Sequence, residues 1–369
     1  MTASRWRQLA NLGQSVWYDN VARPALRSGL LERIVAEDHV TGGTSNPSIF
    51  ATAVSGSDLY DDDIRAADGD LSAEALFERF GVADIQLACD VVRPVWNRTG
   101  GQDGYISIEE EAAIAFDTAA AVARGHELRA LVDRPNVMVK VPGTNGGVEA
   151  FRQLTREGVS VNVTLLFARE RYRAVVDAYI AGLEERHAAG EDLSQIASVA
   201  SFFISRIDAK VDAQLPVDSP LRGRAAVANA RLAYADVFVP AFTSSRWSAL
   251  AMAGANLQRP LWASTGVKDP AYPSTLYVDE LIGAGTVTTV PDATLQAFRD
   301  TGIARPTLHA NVEASRSTLA SLAAAGIDLD AITAELEGEG VQTFAGAYTE
   351  MLAAIDGKRE RVASGSGRA

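Results

Sequence analysis

One apolar run of the sequence contains a lysine: VMVKVPGTNGG, at residues 137–147. Its alternating valines predict a β-strand in which Lys140 shares a face with Met138, while the valines form the opposite face. The proline and glycines that follow end the strand. Because parallel α/β folds collect their reactive groups at the carboxyl ends of strands, the run places an amine where chemistry is expected.

Lysine is rare in this chain. It stands only at positions 140, 210, 268 and 358, so arginine makes up all but four of the 34 basic residues. Arginine stays protonated in proteins, whereas a buried lysine can lose its proton and attack a carbonyl as a free amine. The segment alone leaves two interpretations open: Lys140 is a reactive amine, or it is a strand-end lysine that extends to solvent.

Polar side chains, together with the aromatic Phe203, also stand at the carboxyl ends of the other predicted strands, except the eighth. They are Asp19 in VWYDN, Thr44, Ser45 and Asn46 in TGGTSNPSIF, Glu109 in YISIE, Asn162 and Thr164 in VNVTLLF, Ser201, Phe203 and Arg206 in ASFFISRID, and Ser264 and Lys268 in WASTGVKDP. Each has an ordinary structural alternative, such as a helix cap for Asp19 or a helix-dipole contact for Glu109. Together they predict an amine, two carboxylates and two cations at one end of one fold.

The elements that must position these side chains alternate between strand-like and helix-like patterns. We predict strands at residues 15–19, 39–45, 105–108, 137–141, 159–165, 196–203, 260–264 and 286–290. Helical patterns at 23–36, 110–133, 147–157, 169–189 and 225–237 are long enough to connect parallel strands. Eight strands with helical crossovers predict an α/β protein with a closed (β/α)₈ barrel, or TIM barrel.

Two parts of the chain exceed a minimal barrel. The connection between the second and third strands, residues 47–104, contains extra helices, including one at 73–96. After the eighth strand we predict helices at 293–301, with Asp292 as N-cap, and at 313–325, 328–337 and 340–355. We therefore expect a single domain over 1–369, with the barrel at about 15–291, a helical extension at about 292–363 and a disordered tail at 364–369.

Composition restricts the class of protein. A chain of 369 residues with 47% hydrophobic and 22% charged residues can bury a large core. Its net charge of −13 argues against a nucleic-acid or anionic-membrane partner. The single Cys89 excludes an intramolecular disulfide framework. Since no signal-peptide core or membrane-length apolar segment is visible, we expect a soluble, cytoplasmic protein.

Seven motifs, taken in order, resemble the successive strand motifs of the transaldolase family. They are YDN, TGGTSNPSIF, YISIE, VKVPGTNGG, VNVTLLF, SFFISRID and WASTGVKDPAY, which run from Asp19 to Tyr272. The resemblance implies a barrel enzyme that transfers a dihydroxyacetone unit between sugar phosphates through a lysine Schiff base, without metal or organic cofactor. The implied reaction converts sedoheptulose 7-phosphate and glyceraldehyde 3-phosphate to erythrose 4-phosphate and fructose 6-phosphate, in the pentose phosphate pathway.

The resemblance also implies roles for the residues that match its motifs. Lys140 would form the Schiff base, Asp19 would move the C4 hydroxyl proton, and Glu109, aided by Thr164, would act through a water. The substrate-binding residues would be Thr44, Asn46, Asn162, Ser201 and Phe203, and the phosphate-binding residues would be Arg206, Ser264 and Lys268. We expect burial and the nearby cations to favour the neutral amine of Lys140.

The sequence departs from the family pattern at two positions. Phe202 stands where many transaldolases have proline, and Gly266 stands where many have an arginine. We assign the role of that arginine to Lys268. One alternative is a fructose 6-phosphate aldolase, which releases free dihydroxyacetone, although such relatives tend to be shorter and to carry tyrosine where Phe203 stands. Another is a non-catalytic sugar-phosphate-binding barrel. Partners would be small sugar phosphates, and the chain would act as a monomer or homodimer.

Overall fold

Eight parallel strands form the centre of the molecule, for which the computed structural model describes residues 4–67 and 71–364. The strands close into a barrel in sequence order, β1 to β8. They are Gln14–Tyr18 (β1), Val40–Thr44 (β2), Ile106–Glu109 (β3), Val137–Pro142 (β4), Val161–Leu166 (β5), Ser198–Phe203 (β6), Gln258–Ala263 (β7) and Thr286–Val290 (β8). The predicted (β/α)₈ barrel is confirmed, and each predicted strand end lies within two residues of the observed one.

Helices surround the barrel. In the described part of the chain the α-helices are Arg5–Asn11 (α1), Arg23–Arg27 (α2), Leu30–Glu37 (α3), Pro47–Gly56 (α4), Asp61–Arg65 (α5), Ala73–Thr99 (α6), Thr118–Val132 (α7), Asn145–Arg156 (α8), Arg169–Ala188 (α9), Ser205–Asp212 (α10), Ala225–Ala233 (α11), Val239–Phe242 (α12), Ser245–Met252 (α13), Leu276–Asp279 (α14), Asp292–Thr301 (α15), Val312–Ala324 (α16) and Leu329–Ala363 (α17). Asp58–Tyr60 and Ala112–Ile114 form 3₁₀ turns, and Tyr234–Phe238 is a π-helical stretch between α11 and α12.

Strands β4, β5 and β6 are buried along their whole length, as expected of parallel strands covered on both faces. Their register fixes which side chains become neighbours. Glu109 of β3 is paired with Lys140 of β4, and Lys140 is paired with Asn162 of β5. The hydrogen-bonded sheet therefore sets three of the predicted site residues side by side.

An ion pair lies at the amino-terminal ends of the barrel strands, opposite the predicted site. Asp103, just before β3, lies 3.2 Å from the guanidinium of Arg259 in β7 and accepts hydrogen bonds from Ser15 and Trp17 of β1. Burial alone would raise the pKa of Asp103, but Arg259 and the two hydrogen bonds outweigh it and hold the pKa below its usual value. This end of the barrel is thus stabilised by a charged network and is remote from the predicted site residues at the carboxyl ends of the strands.

The last helix, α17, crosses from the extra helices that follow β2 to the mouth of the barrel. It packs against α4, α5, α6, α10 and β5. At the crossing, Gly340 approaches β5 so closely that an added Cβ would lie 2.8 Å from Cδ2 of Leu165. Leu165 itself adopts a φ of 61°, in the left-handed region that non-glycine residues rarely occupy. A side chain at position 340 would therefore require the end of the Leu165 side chain to shift.

Ion pairs fasten α17 at several points along its length. Glu337 pairs with Arg171 of α9 at 3.2 Å, and Lys358 pairs with Asp61 of α5 at 2.8 Å. Lys358 and Asp61 are both buried, so this contact is more costly to break than an exposed pair. The helix is thereby held across the carboxyl end of the barrel.

Several helix predictions are wrong in detail. The pattern at 23–36 is two helices, because Gly29 at a φ of 68° separates α2 from α3. The pattern at 110–133 begins as a 3₁₀ turn, and α7 starts only at Thr118. The two helices predicted at 328–337 and 340–355 are the single helix α17, because Gly338 and Gly340 are accommodated within it.

The prediction that Asp292 is the N-cap of α15 is wrong, because its side chain makes no capping hydrogen bond to that helix. It instead accepts hydrogen bonds from the hydroxyl of Tyr18 (2.6 Å) and the amide of Asn20 (2.9 Å).

The predicted tail lies outside the described residues apart from Ser364. Cys89 lies buried in α6. Within the ranges described, no helix combines the length and the apolar character that a membrane crossing requires.

Candidate active site

A cavity of about 220 Å³ opens at the carboxyl ends of the strands. Its lining comes from seven of the eight strands or the loops after them and from the last helix. It includes ten of the predicted site residues: Asp19, Thr44, Asn46, Lys140, Thr164, Ser201, Phe203, Arg206, Ser264 and Lys268. The structure thus brings together side chains that are up to 249 positions apart in the sequence, because parallel strands end at one face of the barrel.

Lys140 lies at the base of this cavity and is only 6% exposed. Its Nζ is 3.2 Å from Oε2 of Glu109 and 3.5 Å from the carbonyl oxygen of Ser45. Burial raises the pKa of Glu109, Lys140 offsets part of this effect, and the negative charge of Asp19 raises the pKa further. A carboxyl group with a raised pKa beside an amine is suited to holding and returning a proton.

Asp19 and Thr44 form a second polar pair. The Thr44 hydroxyl donates a hydrogen bond to Oδ1 of Asp19 at 2.5 Å, and the backbone amide of Asp19 is fixed by the carbonyl of Val290 at 3.0 Å. The pair stands at the ends of β1 and β2, in the same cavity as Lys140. Asp19 is therefore oriented by its neighbour and its backbone, with its other carboxylate oxygen available to a ligand.

Asn162 is fully buried beneath the cavity and does not line it. Its amide nitrogen donates to the hydroxyl of Ser107 at 3.0 Å, and its amide oxygen accepts from Ser201 at 2.7 Å. Thr164, two residues further along β5, lines the cavity, and its buried hydroxyl has no partner among the described residues. That hydroxyl is available to a water or a substrate.

Asn46 lines the cavity and also has a structural role. Its side-chain oxygen accepts from the amide of Ile49 at 3.0 Å and caps α4. Since the oxygen is used by the helix, the amide nitrogen is the group left to face a ligand.

Two cations stand at the rim of the cavity. Neither Arg206 nor Lys268 forms an ion pair or hydrogen bond with another described residue, in a chain whose other basic groups are mostly paired. Burial lowers the pKa of Arg206, with Glu339 acting in the opposite direction, and its guanidinium lies 5.3 Å from the ring centroid of Phe203. An arginine still remains protonated at neutral pH. The unpaired charges favour an anionic ligand.

Ser264, on the same rim, has a φ of 56° in the left-handed region. Its hydroxyl lies 2.9 Å from the hydroxyl of Ser205, the first residue of α10, and its carbonyl accepts the amide of Ser205. Strained backbone of this kind persists where surrounding contacts impose it, and such sites are often functional. Gly266 leaves space here, since an added Cβ would lie 3.7 Å from the nearest atom, Cγ of Pro291.

Sequence reasoning missed three side chains of the site. Phe344 of α17 lines the cavity, and its ring centroid lies 5.5 Å from Nζ of Lys140. No pattern in the sequence predicts this contact. Ser107 stands two residues before Glu109, so strand periodicity could have placed it on the inner face, and Ser205 precedes Arg206 in a motif already singled out. Phe202, at the departure from the family pattern, packs against Trp262 in the core.

Glu110, next to the proposed proton-transfer residue, is a buried acid of another kind. It is 4% exposed, and neither of its carboxyl oxygens has a hydrogen-bond partner among the described residues. Burial and, to a smaller extent, the charges of Glu111 and Glu109 raise its pKa to about 9, although Arg124 opposes this. Glu110 is therefore neutral near pH 7 and adds no negative charge beside Glu109.

Glu110 makes the stability of the fold depend on pH. Unfolded chains release this proton near pH 4.5, whereas the folded chain keeps it up to about pH 9. Stability should thus fall as pH rises between these values, at up to about 1.4 kcal/mol per pH unit. We expect Glu110→Gln to remove this term, so its free energy of unfolding relative to wild type should increase between pH 5 and 8, measured by urea denaturation. Glu170→Gln, at an exposed site, is the control, and a pH-independent difference for Glu110→Gln would contradict the prediction.

Comparison with known proteins assigns the chain to a family. The family model described as transaldolase/fructose-6-phosphate aldolase matches residues 16–355. A transaldolase of Thermobifida fusca is 48% identical over 353 residues, covering 94% of this chain and 96% of the relative. Transaldolase 1 of Streptomyces coelicolor is 46% identical, covering 96% and 94%, and a transaldolase of Thiobacillus denitrificans is 46% identical, covering 95% and 99%. The chain belongs to the transaldolase/fructose-6-phosphate aldolase family.

Proposed function

We propose that this protein is a transaldolase that transfers a dihydroxyacetone unit from sedoheptulose 7-phosphate to glyceraldehyde 3-phosphate, giving erythrose 4-phosphate and fructose 6-phosphate. Its family and the names of its relatives support the activity. The observation that carries the residue-level mechanism is the buried amine of Lys140, 3.2 Å from a carboxyl group whose pKa is raised, in a cavity with two unpaired cations at its rim.

The reaction begins with the amine of Lys140. As the free base it adds to the C2 carbonyl of the ketose, and the resulting carbinolamine loses water to form an iminium ion. Glu109 supplies the proton that the departing hydroxyl requires, through a water held by Thr164, and takes it back during the final hydrolysis. The raised pKa of Glu109 and the free hydroxyl of Thr164 support these roles.

Asp19 serves the carbon–carbon step. It removes the proton of the C4 hydroxyl, the C3–C4 bond breaks, and the bonding electron pair passes into the enamine while the aldose leaves as an aldehyde. When the acceptor aldehyde adds to C3, Asp19 returns the proton to the new C4 oxygen. The hydrogen bond from Thr44 holds the carboxylate in place for both transfers.

The remaining residues bind the substrate. Thr44, Asn46 and Ser201 present hydrogen-bonding groups to the sugar hydroxyls, Phe203 forms an apolar wall, and Asn162 contributes from beneath through its bonds to Ser107 and Ser201. Arg206, Ser264 and Lys268 bind the phosphate, with the arginine offering a planar fork and the lysine a point charge.

Release of free dihydroxyacetone is the competing outcome for the same intermediate. Phe344 favours transfer, because its ring lies over Lys140 and occupies space through which water would reach the enamine and the iminium. The fructose 6-phosphate aldolase alternative is described by the same family model, but the relatives named above are transaldolases.

Trapping the Schiff base tests the proposed nucleophile. Borohydride reduction in the presence of fructose 6-phosphate should attach a substrate-derived group to Lys140, identified by peptide mass mapping. Lys140→Met should give no adduct and lose at least about a thousandfold in activity, since Lys268, the other amine of the cavity, is assigned to the phosphate and not to the carbonyl carbon. An adduct on Lys210, Lys268 or Lys358, or none at all, would overturn the mechanism.

Lys268→Ala tests the phosphate assignment. Loss of one charge-assisted contact should raise KM for fructose 6-phosphate by about tenfold and leave kcat nearly unchanged, because the contact is remote from the reacting carbons. Initial rates with unphosphorylated fructose as donor provide the control, since KM for that substrate should not respond. Equal effects on both donors, or no change in either, would argue against the assignment.

Phe344→Ala tests the separation of transfer from release. With the ring removed, water should reach the intermediate, and the ratio of free dihydroxyacetone to transferred product should rise by about tenfold. Phe344→Leu keeps an apolar side chain at this position and serves as the matched variant, with a ratio close to wild type. If the alanine variant retains transfer activity with an unchanged ratio, the ring has no such role.

A further inference from the structure

A second cavity, of about 430 Å³, lies between α11, α16 and the segment that follows β7. None of the residues that line it also line the proposed substrate cavity. On α11 its lining residues recur at helical spacing, Arg224, Val227, Ala228 and Arg231, and α16 contributes Ala314, Ser315 and Thr318 in the same way. Two helix faces thus enclose a space of the size that small-molecule sites have.

The charge of this cavity contrasts with that of the chain. Arg222, Arg224 and Arg231 line it, and Glu280 is the one acidic residue in its wall. Arg222 is partly engaged, since it lies 3.5 Å from the carboxylate of Asp269 and donates to the carbonyl oxygen of Asp212 at 2.6 Å. The whole protein carries a net charge of −13, so a local excess of positive charge is unusual on its surface. Arg224 forms no ion pair or hydrogen bond with another residue of the described ranges. Its charge is available to a ligand.

Arg231 supplies the most specific observation. It is 7% exposed, and one nitrogen, Nη2, is occupied by the carboxylate of Glu280 at 2.5 Å and by the carbonyl of the same residue at 3.1 Å. Its Nε is buried and has no hydrogen-bond partner among the described residues. A buried donor without an acceptor is destabilising, so an oxygen ligand at this position would be stabilised.

The start of α16 adds donors at the same cavity. Asn311, at a φ of 61°, precedes the helix without capping it through its side chain, so the first backbone amides keep no acceptor from that residue. A helix N-terminus favours negative charge through its free amides and its dipole. These amides and the arginine side chains are donors of the kind that bind oxyanions.

We propose that this cavity is a binding site for a small phosphate-bearing anion, separate from the substrate site. Arg222 and Arg224 hold the charged group at the mouth, and Arg231 donates to it from the buried side. The apolar side chains of Val227 and Leu276 contact the remainder of the ligand. The proposal does not depend on the catalytic activity, and its failure would leave the Schiff-base mechanism untouched.

Pyrophosphate, titrated by isothermal calorimetry at low ionic strength, is the probe. The protein used is the full chain with Arg206→Ala and Lys268→Ala, so that the phosphate contacts of the substrate site are removed. We expect this double variant to bind pyrophosphate at one site, with an affinity that falls steeply as salt is added. Absence of binding in the double variant would overturn the proposal.

Further substitutions in the double variant locate the site. Arg224→Ala should weaken pyrophosphate binding by at least tenfold, and Thr318→Glu, which adds a carboxylate to the cavity without disturbing the buried Arg231, should abolish it. Arg33→Ala, at an exposed arginine of α3, removes the same charge elsewhere and should change the affinity by less than twofold. Binding that survives both cavity substitutions, with an unchanged circular dichroism spectrum, would exclude this cavity as the site.

Discussion

The contact between Lys140 and Glu109 is the interaction on which the rest of the site depends. Two ionisable groups lie 3.2 Å apart in a nearly water-free position, where removing each from solvent is costly. The register of β3 and β4 places the two side chains next to each other. Because both belong to regular strands, no flexible segment has to be ordered to form the contact. The outcome is an amine held against a carboxyl group of raised pKa, an arrangement suited to the proton transfers of the proposed imine chemistry.

Around this pair, the remaining polar groups fall into two kinds. Some, like Asn162 between Ser107 and Ser201, have their hydrogen bonds completed by the protein and act as rigid support. Others have bonding capacity left over, such as the hydroxyl of Thr164 and the guanidinium of Arg206. The first kind keeps the geometry constant and the second is free to bind a ligand, a division expected of a preorganised site.

The strands and their polar ends could be predicted from the sequence because both signals are local: a period of two, followed by a polar residue and a loop. Phe344 could not, because its contact with Lys140 joins positions 204 residues apart and depends on the path of α17. The glycines of α17 led to the wrong prediction of two helices for a related reason. Gly340 taken alone predicts a helix break, but in the structure it lies within α17 and packs closely on Leu165, so tertiary contact outweighs helix propensity.

The position of α17 at the end of the chain has a consequence for biosynthesis. Every barrel strand, and with them Lys140, Glu109 and Asp19, is translated before residue 291, whereas the helix that carries Phe344 begins at Leu329. Proteins begin to fold during synthesis from the amino-terminal side. The barrel and its amine can therefore form with an open mouth before α17 has been made, and the cavity wall that Phe344 supplies is added only when α17 packs onto the barrel.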